Sequence, residues 1–312
     1  MIVRNDNIKC VQEHITVEEA EMLFDNGWDI LYMTDAQGIY IGCITRKEMT
    51  LSAREKKLIV NNNSVKLNSC ENIEAQVKKL FEKYNRVFNI PIIDSAGRIL
   101  YEYERLIETK NFNSSAYWEE RYESGGNSGD GSYDKLAAFK ADVLNEFMQR
   151  NKIESVVEWG FGDGNQLSLF HIPHYIGYDV AKTAVQICKD KFRSDKSKEF
   201  FHYDGSLLNG LHKSDMAISL DVLYHLVEDF KFENYMGNLF NSANRYVCIY
   251  SSNYNAKQDT AHVKRRKFSD YIDNNFADWE LMEVIKNPYE TSHSDFYIYG
   301  KRHEQKEDYG YY

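Results

Sequence analysis

A glycine-rich turn in the middle of the chain restricts its fold more than any other feature. The apolar segment 155–159 runs into Gly160, Gly162 and Gly164, and the residues after them are predicted to start a helix. Glycine allows a sharp turn and lets a ligand approach the backbone closely. A strand, a glycine turn and a helix in this order predict an α/β domain that binds a ligand at the carboxyl ends of its strands.

The sequence around this turn alternates between short apolar segments and amphipathic helical ones. This alternation is typical of a parallel sheet with helices on both faces, so we predict a doubly wound, Rossmann-like α/β domain over residues 116–302. The predicted strands are 155–159, 175–178, 199–202, 216–220 and 246–250, with two further edge strands at 279–285 and 295–299.

Acidic residues stand at or just after three of these strand ends. Glu158 lies two residues before Gly160, and Asp179 ends the second predicted strand, where a carboxylate can accept hydrogen bonds from ribose hydroxyls. Asp204 follows the third strand and would lie by the amino group of adenine. A dinucleotide fingerprint would place its third glycine at Asn165, so the spacing disfavours a nicotinamide oxidoreductase.

The acids and the three glycines together resemble class I S-adenosylmethionine-dependent methyltransferases, over about residues 113–302. The resemblance implies S-adenosyl-L-methionine as the cofactor. It also implies that Glu158 orients the amino end of the cofactor, that the glycine backbone passes beneath its sulfur and ribose, and that Asp179 binds the ribose hydroxyls.

Further segments are similar to bacterial small-molecule methyltransferases of surface-polysaccharide gene clusters, some of which methylate a capsular phosphoramidate. These segments are 117–122, 125–133, 219–229 and 262–268. By the same resemblance, Tyr117 and Arg121 would reach the cofactor carboxylate, and Leu220 is counted with the cofactor-binding residues. The acceptor implied is a small, anionic molecule.

The predicted catalytic residues follow the fourth strand. Methyl transfer is an in-line displacement, so most of its catalysis comes from holding the acceptor and the methyl group together. A neutral hydroxyl acceptor also needs a base. The unperturbed pKa of histidine suits proton removal at neutral pH, and His225 is placed at the carboxyl edge of the sheet. His225 could instead cap its loop. Asp221 and Tyr224 would orient the imidazole, line the pocket or make local loop contacts.

Two further regions are candidates for binding the acceptor. The basic run with His262, Arg265 and Arg266 would bind an anion, because arginine matches phosphate and carboxylate geometry. The alternative is a solvated helix start. The glycine-rich loop 124–133, which ends at Tyr133, would close over the site as a lid or serve as a plain connection. We count Tyr133 with the acceptor-binding residues.

The front third of the chain contains an internal repeat. Asp35 and Gly38 recur as Asp94 and Gly97, 59 positions later, each pair between two strand-like runs and behind an amphipathic helix. The repeat resembles a tandem CBS-domain pair, a small α+β fold that often binds adenosine nucleotides and could form a homodimer. We assign residues 1–106 to this CBS-pair-like module, 107–115 to a linker and 303–312 to a tail. In the first copy, the resemblance implies that Thr45 and Glu48 hold the phosphate and ribose of a nucleotide. The second copy has no corresponding pair.

Composition excludes several classes of function. The formal net charge of -10 argues against nucleic acid as a partner, because the phosphate backbone is also negatively charged. The five cysteines are scattered without a zinc spacing, and no metal site is predicted. No apolar run approaches the length of a membrane span, and we expect a cytoplasmic protein without a membrane partner. The alternative to an enzyme is a non-catalytic sensor of adenosine nucleotides or S-adenosylmethionine.

Overall fold

The computed structural model divides the chain into two compact units. One comprises Met1–Asn111 and Tyr254–Arg265, and the other comprises Phe112–Asn253 and Arg266–Tyr312. The structure describes residues 2–84, 87–105, 112–256, 258, 260–289 and 292–302, without the side chains of Thr50 and Arg54. The predicted linker spans the division, and its residues 107–111 lie outside the described residues, as does the predicted tail. The sequence assigned 254–265 to the second domain, whereas the structure groups it with the first unit.

In its described residues, the first unit contains two small mixed sheets and three helices. In chain order its elements are β1 (Ile2–Asn5), β2 (Cys10–Gln12), α1 (Val17–Asp25), β3 (Ile30–Thr34), β4 (Tyr40–Thr45), α2 (Arg46–Glu55), β5 (Leu67–Asn68), α3 (Ile73–Lys83), β6 (Asn89–Ile93) and β7 (Ile99–Arg105). The sheet orders are β2-β3-β4 and β1-β7-β6-β5. In each copy of the repeat a strand pairs in parallel with the first strand of a hairpin, and a helix connects the two.

The hairpin turns of the two copies have the same geometry, which confirms the predicted repeat. Asp35 Oδ1 accepts hydrogen bonds from the backbone N–H groups of Gln37 and Ile39, and Asp94 Oδ1 accepts from the corresponding groups two and four residues later. These bonds hold the pKa of Asp94 below its usual value. At the start of α2, Glu48 Oε2 accepts hydrogen bonds from Thr45 N and from the Thr45 hydroxyl, so the observed role of both side chains is local.

The second unit is an α/β domain built on one seven-stranded sheet. Its elements are α4 (Ser114–Glu123), α5 (Asp134–Asn151), β8 (Ser155–Trp159), β9 (His174–Asp179), α6 (Lys182–Lys191), β10 (Lys198–His202), β11 (Ser214–Leu220), α7 (Asp229–Asn241), β12 (Ala243–Ser251), α8 (Phe268–Asn275), β13 (Trp279–Ile285) and β14 (Asp295–Lys301). The strand order is β10-β9-β8-β11-β12-β14-β13. The first five strands of this order are parallel, and β14 is antiparallel to both of its neighbours.

Apolar clusters cover both faces of this sheet. Successive residues of a strand point to opposite faces, so Val156 and Val157 belong to different clusters, as do Met216 and Ala217. A parallel sheet covered on both faces is the Rossmann-like arrangement that the sequence predicted. The five parallel strands were predicted to within three residues at each end.

Two details of the prediction were wrong. The late strands were both placed at the edge of the sheet, but only β13 is an edge strand, because β14 turns back to pair with β12. The predicted helix after Gly164 is a single 3-10 turn, Leu167–Leu169. The nine residues between Gly164 and the start of β9 are too few for the turn, a helix and the return to the sheet. Among the described residues, no helix is long and apolar enough to cross a membrane.

Candidate functional site

A cavity opens at the carboxyl edge of the parallel strands. It encloses about 850 Å³, counting the part that is open to solvent, which is in the range of small-molecule sites. Its apolar walls are Trp118, Phe161, Val180, Leu220, Val222 and Leu226. Its polar lining includes the carboxyl groups of Glu158, Asp179 and Asp221, the imidazole of His225, and Gln166 and Lys231.

The glycine turn forms the floor of this cavity. Gly160 and Gly162 have φ angles of 80° and 60°, in the left-handed region that favours glycine. A Cβ atom on Gly162 would lie 2.2 Å from Ser128 Oγ, and one on Gly160 would lie 2.6 Å from a methyl group of Val222. Both positions therefore require glycine for backbone conformation and for space.

Two buried carboxyl groups stand beside the turn. Asp179 Oδ2 accepts a hydrogen bond of 2.9 Å from Gly162 N, and its Oδ1 accepts one of 2.9 Å from Ala181 N. Glu158 accepts a hydrogen bond of 2.7 Å from the Tyr175 hydroxyl. Burial raises the pKa of Glu158 to about 7 and that of Asp179 to about 6. Both groups keep free lone pairs for a ligand.

Asp221, directly after β11, is fixed by groups from three other places in the chain. Its φ of 60° is unusual for a residue other than glycine. Its Oδ2 lies 2.8 Å from Nζ of the fully buried Lys140, and its Oδ1 accepts bonds from the hydroxyls of Tyr224 (2.9 Å) and Ser294 (3.1 Å). Backbone strain of this kind is found at functional sites when surrounding contacts enforce it.

The imidazole of His225 lies between two aromatic rings. Its centroid is 4.9 Å from that of Trp118 and 4.5 Å from that of Tyr224. Since Tyr224 is bonded to Asp221, the three predicted catalytic residues form one connected group, and the carboxyl of Asp221 and the imidazole of His225 both line the cavity. The structure therefore brings Asp221 and His225 to the same cavity as the glycine turn, whereas Tyr224 is outside the described lining and bonds to Asp221.

Comparison with known proteins gives similarities of structure alone. No family model matches the chain. No curated protein matches it either. Among solved structures, it is similar to the magnesium protoporphyrin IX methyltransferase ChlM of Synechocystis PCC 6803 with bound SAM, at 15% identity over 62% of this chain and 100% of that chain, with a TM-score of 0.47. It is also similar to the N-methyltransferase NodS of Bradyrhizobium japonicum WM9, at 11% identity over 62% and 100%, with a TM-score of 0.48. An O-methyltransferase family protein of Burkholderia thailandensis matches at 14% identity over 54% and 56%, with a TM-score of 0.43. At such values the likeness does not bear on what this chain binds.

The predicted lid loop is docked on the glycine turn. Ser128 and Asp163 exchange two hydrogen bonds, from Ser128 N to Asp163 Oδ2 (2.8 Å) and from Asp163 N to Ser128 Oγ (2.9 Å). The Tyr133 hydroxyl donates to the same Oδ2 at 2.9 Å, and burial together with this bond raises the pKa of Tyr133 to about 12. Tyr133 thus secures the loop and, among the described residues, does not belong to the cavity lining.

We expect Asp163→Ala to release this loop. The two hydrogen bonds that the loop donates to this carboxyl group, from Ser128 N and the Tyr133 hydroxyl, are lost. The free energy of unfolding should therefore fall by about 1–3 kcal/mol, and proteases should cut within 124–133 several-fold faster. Thermal unfolding and limited proteolysis measure the two effects. Asp130→Ala, an exposed site in the same loop, is the matched control. Equal cleavage rates in the two variants would show that Asp163 does not hold the loop.

Four predicted cofactor-binding residues lie outside the lining that the structure describes, namely Tyr117, Arg121, Gly164 and Asp204. Gly164 packs against α6, where an added Cβ would lie 2.7 Å from Cys188 Sγ. Asp204 is exposed, and its Oδ1 accepts a hydrogen bond from Ser206 N at 3.0 Å. Bonds from the Ser206 side chain and from this N–H lower the pKa of the Asp204 carboxyl group. Arg121 Nε donates to the carbonyl of Asn127 at 2.6 Å. The ring of Tyr117 packs 5.5 Å from that of Trp118. The structure thus shows local contacts for these residues, and their cofactor roles stay predictions.

The predicted acceptor-binding residues are divided between the two units. His262 and Arg265 belong to the segment that groups with the first unit, and Arg266 belongs to the second. The Arg266 guanidinium pairs with Asp229 at 2.6 Å and donates to two carbonyl groups, those of Leu226 (2.7 Å) and Val227 (3.0 Å). Arg266 therefore secures the loop that follows His225, and its role toward an acceptor stays a prediction.

Lys231 and Gln166 are among the polar cavity residues that sequence reasoning missed. Lys231 Nζ lies 2.8 Å from Glu228 Oε1 and 3.0 Å from Ser115 Oγ, and Gln166 is buried within the wall. Lys231 stands between two phenylalanines at the start of α7, and Gln166 follows the glycine turn; neither has a diagnostic spacing. A polar residue that the fold buries beside a ligand cavity is recognised only when the cavity is known.

Proposed function

We propose that the second unit is an S-adenosylmethionine-dependent methyltransferase. The observation that carries this proposal is the set of three carboxyl groups, those of Glu158, Asp179 and Asp221, that line one cavity at a glycine turn. The charge of Asp221 is offset by Lys140, so Glu158 and Asp179 are the acids of this lining that attract a cation. S-adenosylmethionine carries a sulfonium and an α-ammonium group, so it suits such a field better than an anionic ligand does.

The segment after the turn favours the same cofactor over a dinucleotide. Dinucleotide sites place the pyrophosphate at the N-terminus of a helix, where free N–H groups and the helix dipole attract anions. Here the glycine turn leads into the 3-10 turn Leu167–Leu169. The negative pyrophosphate of a dinucleotide would therefore lie near negative carboxyl groups, and no helix dipole would offset the repulsion. This argues against a nicotinamide cofactor.

The lining offers a group for each part of the proposed cofactor. Asp179 would accept hydrogen bonds from the ribose hydroxyls with its remaining lone pairs, and Glu158 would accept from the amino end. Val180 and Leu226 would pack against the purine. When bound, S-adenosylmethionine supplies a methyl group on a positively charged sulfur, which is an electrophile for in-line displacement.

The residues of the chain would then position the acceptor and take its proton. Trp118 and Tyr224 hold the imidazole of His225 at the cavity, where it can accept the proton of an acceptor hydroxyl. Asp221 fixes Tyr224 through its hydroxyl. We therefore propose oxygen as the methylated atom. An acceptor oxygen that is already anionic would need no base, and His225 would then donate a hydrogen bond to it.

We further propose that the acceptor is a small, anionic sugar or phosphoramidate-type group in the biosynthesis of a bacterial surface polysaccharide such as a capsule. Support comes from the resemblance of segments 117–122, 219–229 and 262–268, and from the basic residues of the last one. The first unit would be a CBS-pair-like module that could form a homodimer, which its two-copy arrangement supports. A cytoplasmic location fits a soluble cofactor and a small acceptor.

Binding of the cofactor tests this proposal directly. Calorimetric titration of the full chain should show micromolar binding of S-adenosylmethionine and its demethylated product and no comparable binding of NAD. Gly162→Ala should weaken that binding at least about tenfold, because the new Cβ displaces Ser128 and narrows the cavity floor.

Gly210→Ala is the matched control for the glycine variant. Gly210 has a φ of 72° with no atom within 4 Å of an added Cβ, so it carries similar backbone strain without crowding. The affinity of the Gly210→Ala variant for the cofactor should match that of the unmodified chain. Preference for NAD, or no binding of either ligand, would overturn the proposed function.

A further inference from the structure

Gln166 presents an unsatisfied acceptor in the wall of the cavity. Its side chain is only 4% exposed, and its Nε2 donates to the Ala137 carbonyl at 3.0 Å. Its Oε1 is buried, and no hydrogen-bond donor of the described residues reaches it. Buried polar atoms are nearly always paired in folded proteins, so an unpaired one at a ligand cavity indicates a place where the ligand donates.

The orientation of the Gln166 amide is determined by its surroundings. Turning the amide over would place Oε1 against the carbonyl oxygen of Ala137, which can only accept. The Nε2 group must therefore face α5, and Oε1 must face away from it. The free acceptor is thus a consequence of the fold and independent of how the two amide atoms are assigned.

Glu158 lies within electrostatic range of the helix that holds Gln166. Ala137, which holds Gln166, and Lys140 are three residues apart and share a face of that helix. Lys140 is close enough to Glu158 to lower the pKa of its carboxyl group against the larger effect of burial. Both Glu158 and Gln166 line the cavity. This part of the wall therefore presents a carboxylate and an amide oxygen, and Lys140 is already paired with Asp221.

Two acceptors in the lining of one cavity suit a ligand group with several donors and a positive charge. A primary ammonium has three N–H donors and no acceptor. We infer that Gln166 Oε1, together with Glu158, binds the α-ammonium group at the methionine end of the cofactor and thereby selects ligands that carry an amino acid. This inference rests on the proposed function and adds a residue and a specificity to it.

Titration of Gln166→Leu with two ligands tests the inference. S-adenosylhomocysteine contains the amino acid, whereas 5′-methylthioadenosine contains the same nucleoside and sulfur without it. The variant should bind S-adenosylhomocysteine about tenfold or more weakly, since a hydrogen bond to a charged group is lost. Its affinity for 5′-methylthioadenosine should stay within about twofold of the unmodified chain.

An equal loss for both ligands would show a merely structural role for Gln166 and overturn the inference. Failure of the unmodified chain to bind either ligand would overturn the proposed function as well, which distinguishes the two failures. Gln186→Leu, on the exposed face of α6, is the matched control and should change neither affinity.

A second variant covers the case in which Gln166→Leu does not fold. Gln166→Met has a similar length and no oxygen, and thermal unfolding reports whether it is native. It is titrated with S-adenosylhomocysteine and with the deaminated analogue of that ligand. Because the contact needs both partners, the unmodified chain and the variant should bind the deaminated analogue equally. A loss of affinity for the analogue that equals the loss for S-adenosylhomocysteine would overturn the inference.

Discussion

Replacing Lys140 by methionine is expected to lower the free energy of unfolding by about 3–5 kcal/mol and to remove most of the methyl transfer. The Lys140 side chain is fully buried and its Nζ lies 2.8 Å from Asp221 Oδ2. Methionine fills a similar volume but leaves the Asp221 carboxylate with hydroxyl donors alone. The unpaired charge of Asp221 destabilises the folded state. Asp221 also fixes Tyr224 beside His225, so these residues are disturbed as well.

Denaturant unfolding and steady-state kinetics measure the two effects. Lys182→Met, at an exposed position at the start of α6, is the matched control and should shift stability by less than about 0.5 kcal/mol. The double variant Lys140→Met with Asp221→Asn removes both charges, and asparagine tolerates the left-handed backbone at position 221. It should be more stable than Lys140→Met alone. Strictly additive losses would mean that the two charges do not interact.

The strands of the second unit could be predicted because local patterns determine where they lie. The predicted and observed bounds of β8 and β13 are identical. β8 is a short run of apolar and β-branched residues, and β13 mixes such residues with Glu280 and Glu283. The parallel pairing of β9 with β10 and the parallel β11 and β12 agree with the helical connections α6 and α7. Local sequence thus determined the elements and most of their arrangement.

The position of β14 depends on pairing between distant segments, which no local pattern reports. The difference in burial between the two late strands gives the physical reason for their order. Phe296 and Ile298 of β14 are fully buried, whereas Leu281 and Met282 of β13 are 48% and 57% exposed. The more apolar strand takes the interior place, so comparing the two compositions would have favoured the observed order.

Site residues could be predicted where a chemically suitable side chain stands at the end of a strand. Glu158, Asp179 and Asp221 each stand at a strand end, and parallel strands bring those ends to one edge. Arg121 and Arg266 were chosen for their charge, but their observed partners, such as the Asn127 and Leu226 carbonyls, are set by loop conformation. Gln166 has no pattern at all in the sequence, since its importance comes from an oxygen that the fold leaves unpaired.

The affinity for the cofactor is expected to rise with pH between about 6 and 7.5. Burial raises the pKa of Glu158 to about 7, so much of this carboxyl group is protonated in the ligand-free protein at pH 6. An ammonium group binds the ionised form, and the proton must leave before the ligand is held. If the bound state keeps Glu158 ionised, its titration alone makes binding about eightfold tighter at pH 7.5 than at pH 6.

The same carboxyl groups set the sign of the effect on stability. Because the pKa values of Glu158 and Asp179 are raised to about 7 and about 6, the folded ligand-free chain holds protons that the unfolded chain releases. This contribution to stability is present at low pH and is lost as pH rises from about 4 to about 7. The stabilisation of the folded chain by a bound ligand should therefore increase as pH rises over the same range.

Titration calorimetry with S-adenosylhomocysteine at four pH values, repeated in buffers of different ionisation enthalpy, measures both the affinity and the proton released. The range ends at pH 7.5 so that the α-amino group of the ligand stays mostly protonated. Glu158→Gln should weaken binding and flatten the profile to the roughly twofold change left by Asp179, whose pKa is lower. 5′-Methylthioadenosine, which lacks the ammonium group, should bind with little dependence on pH. A profile that is flat for the unmodified chain, or equally steep in Glu158→Gln, would show that Glu158 does not meet the charged end of the ligand.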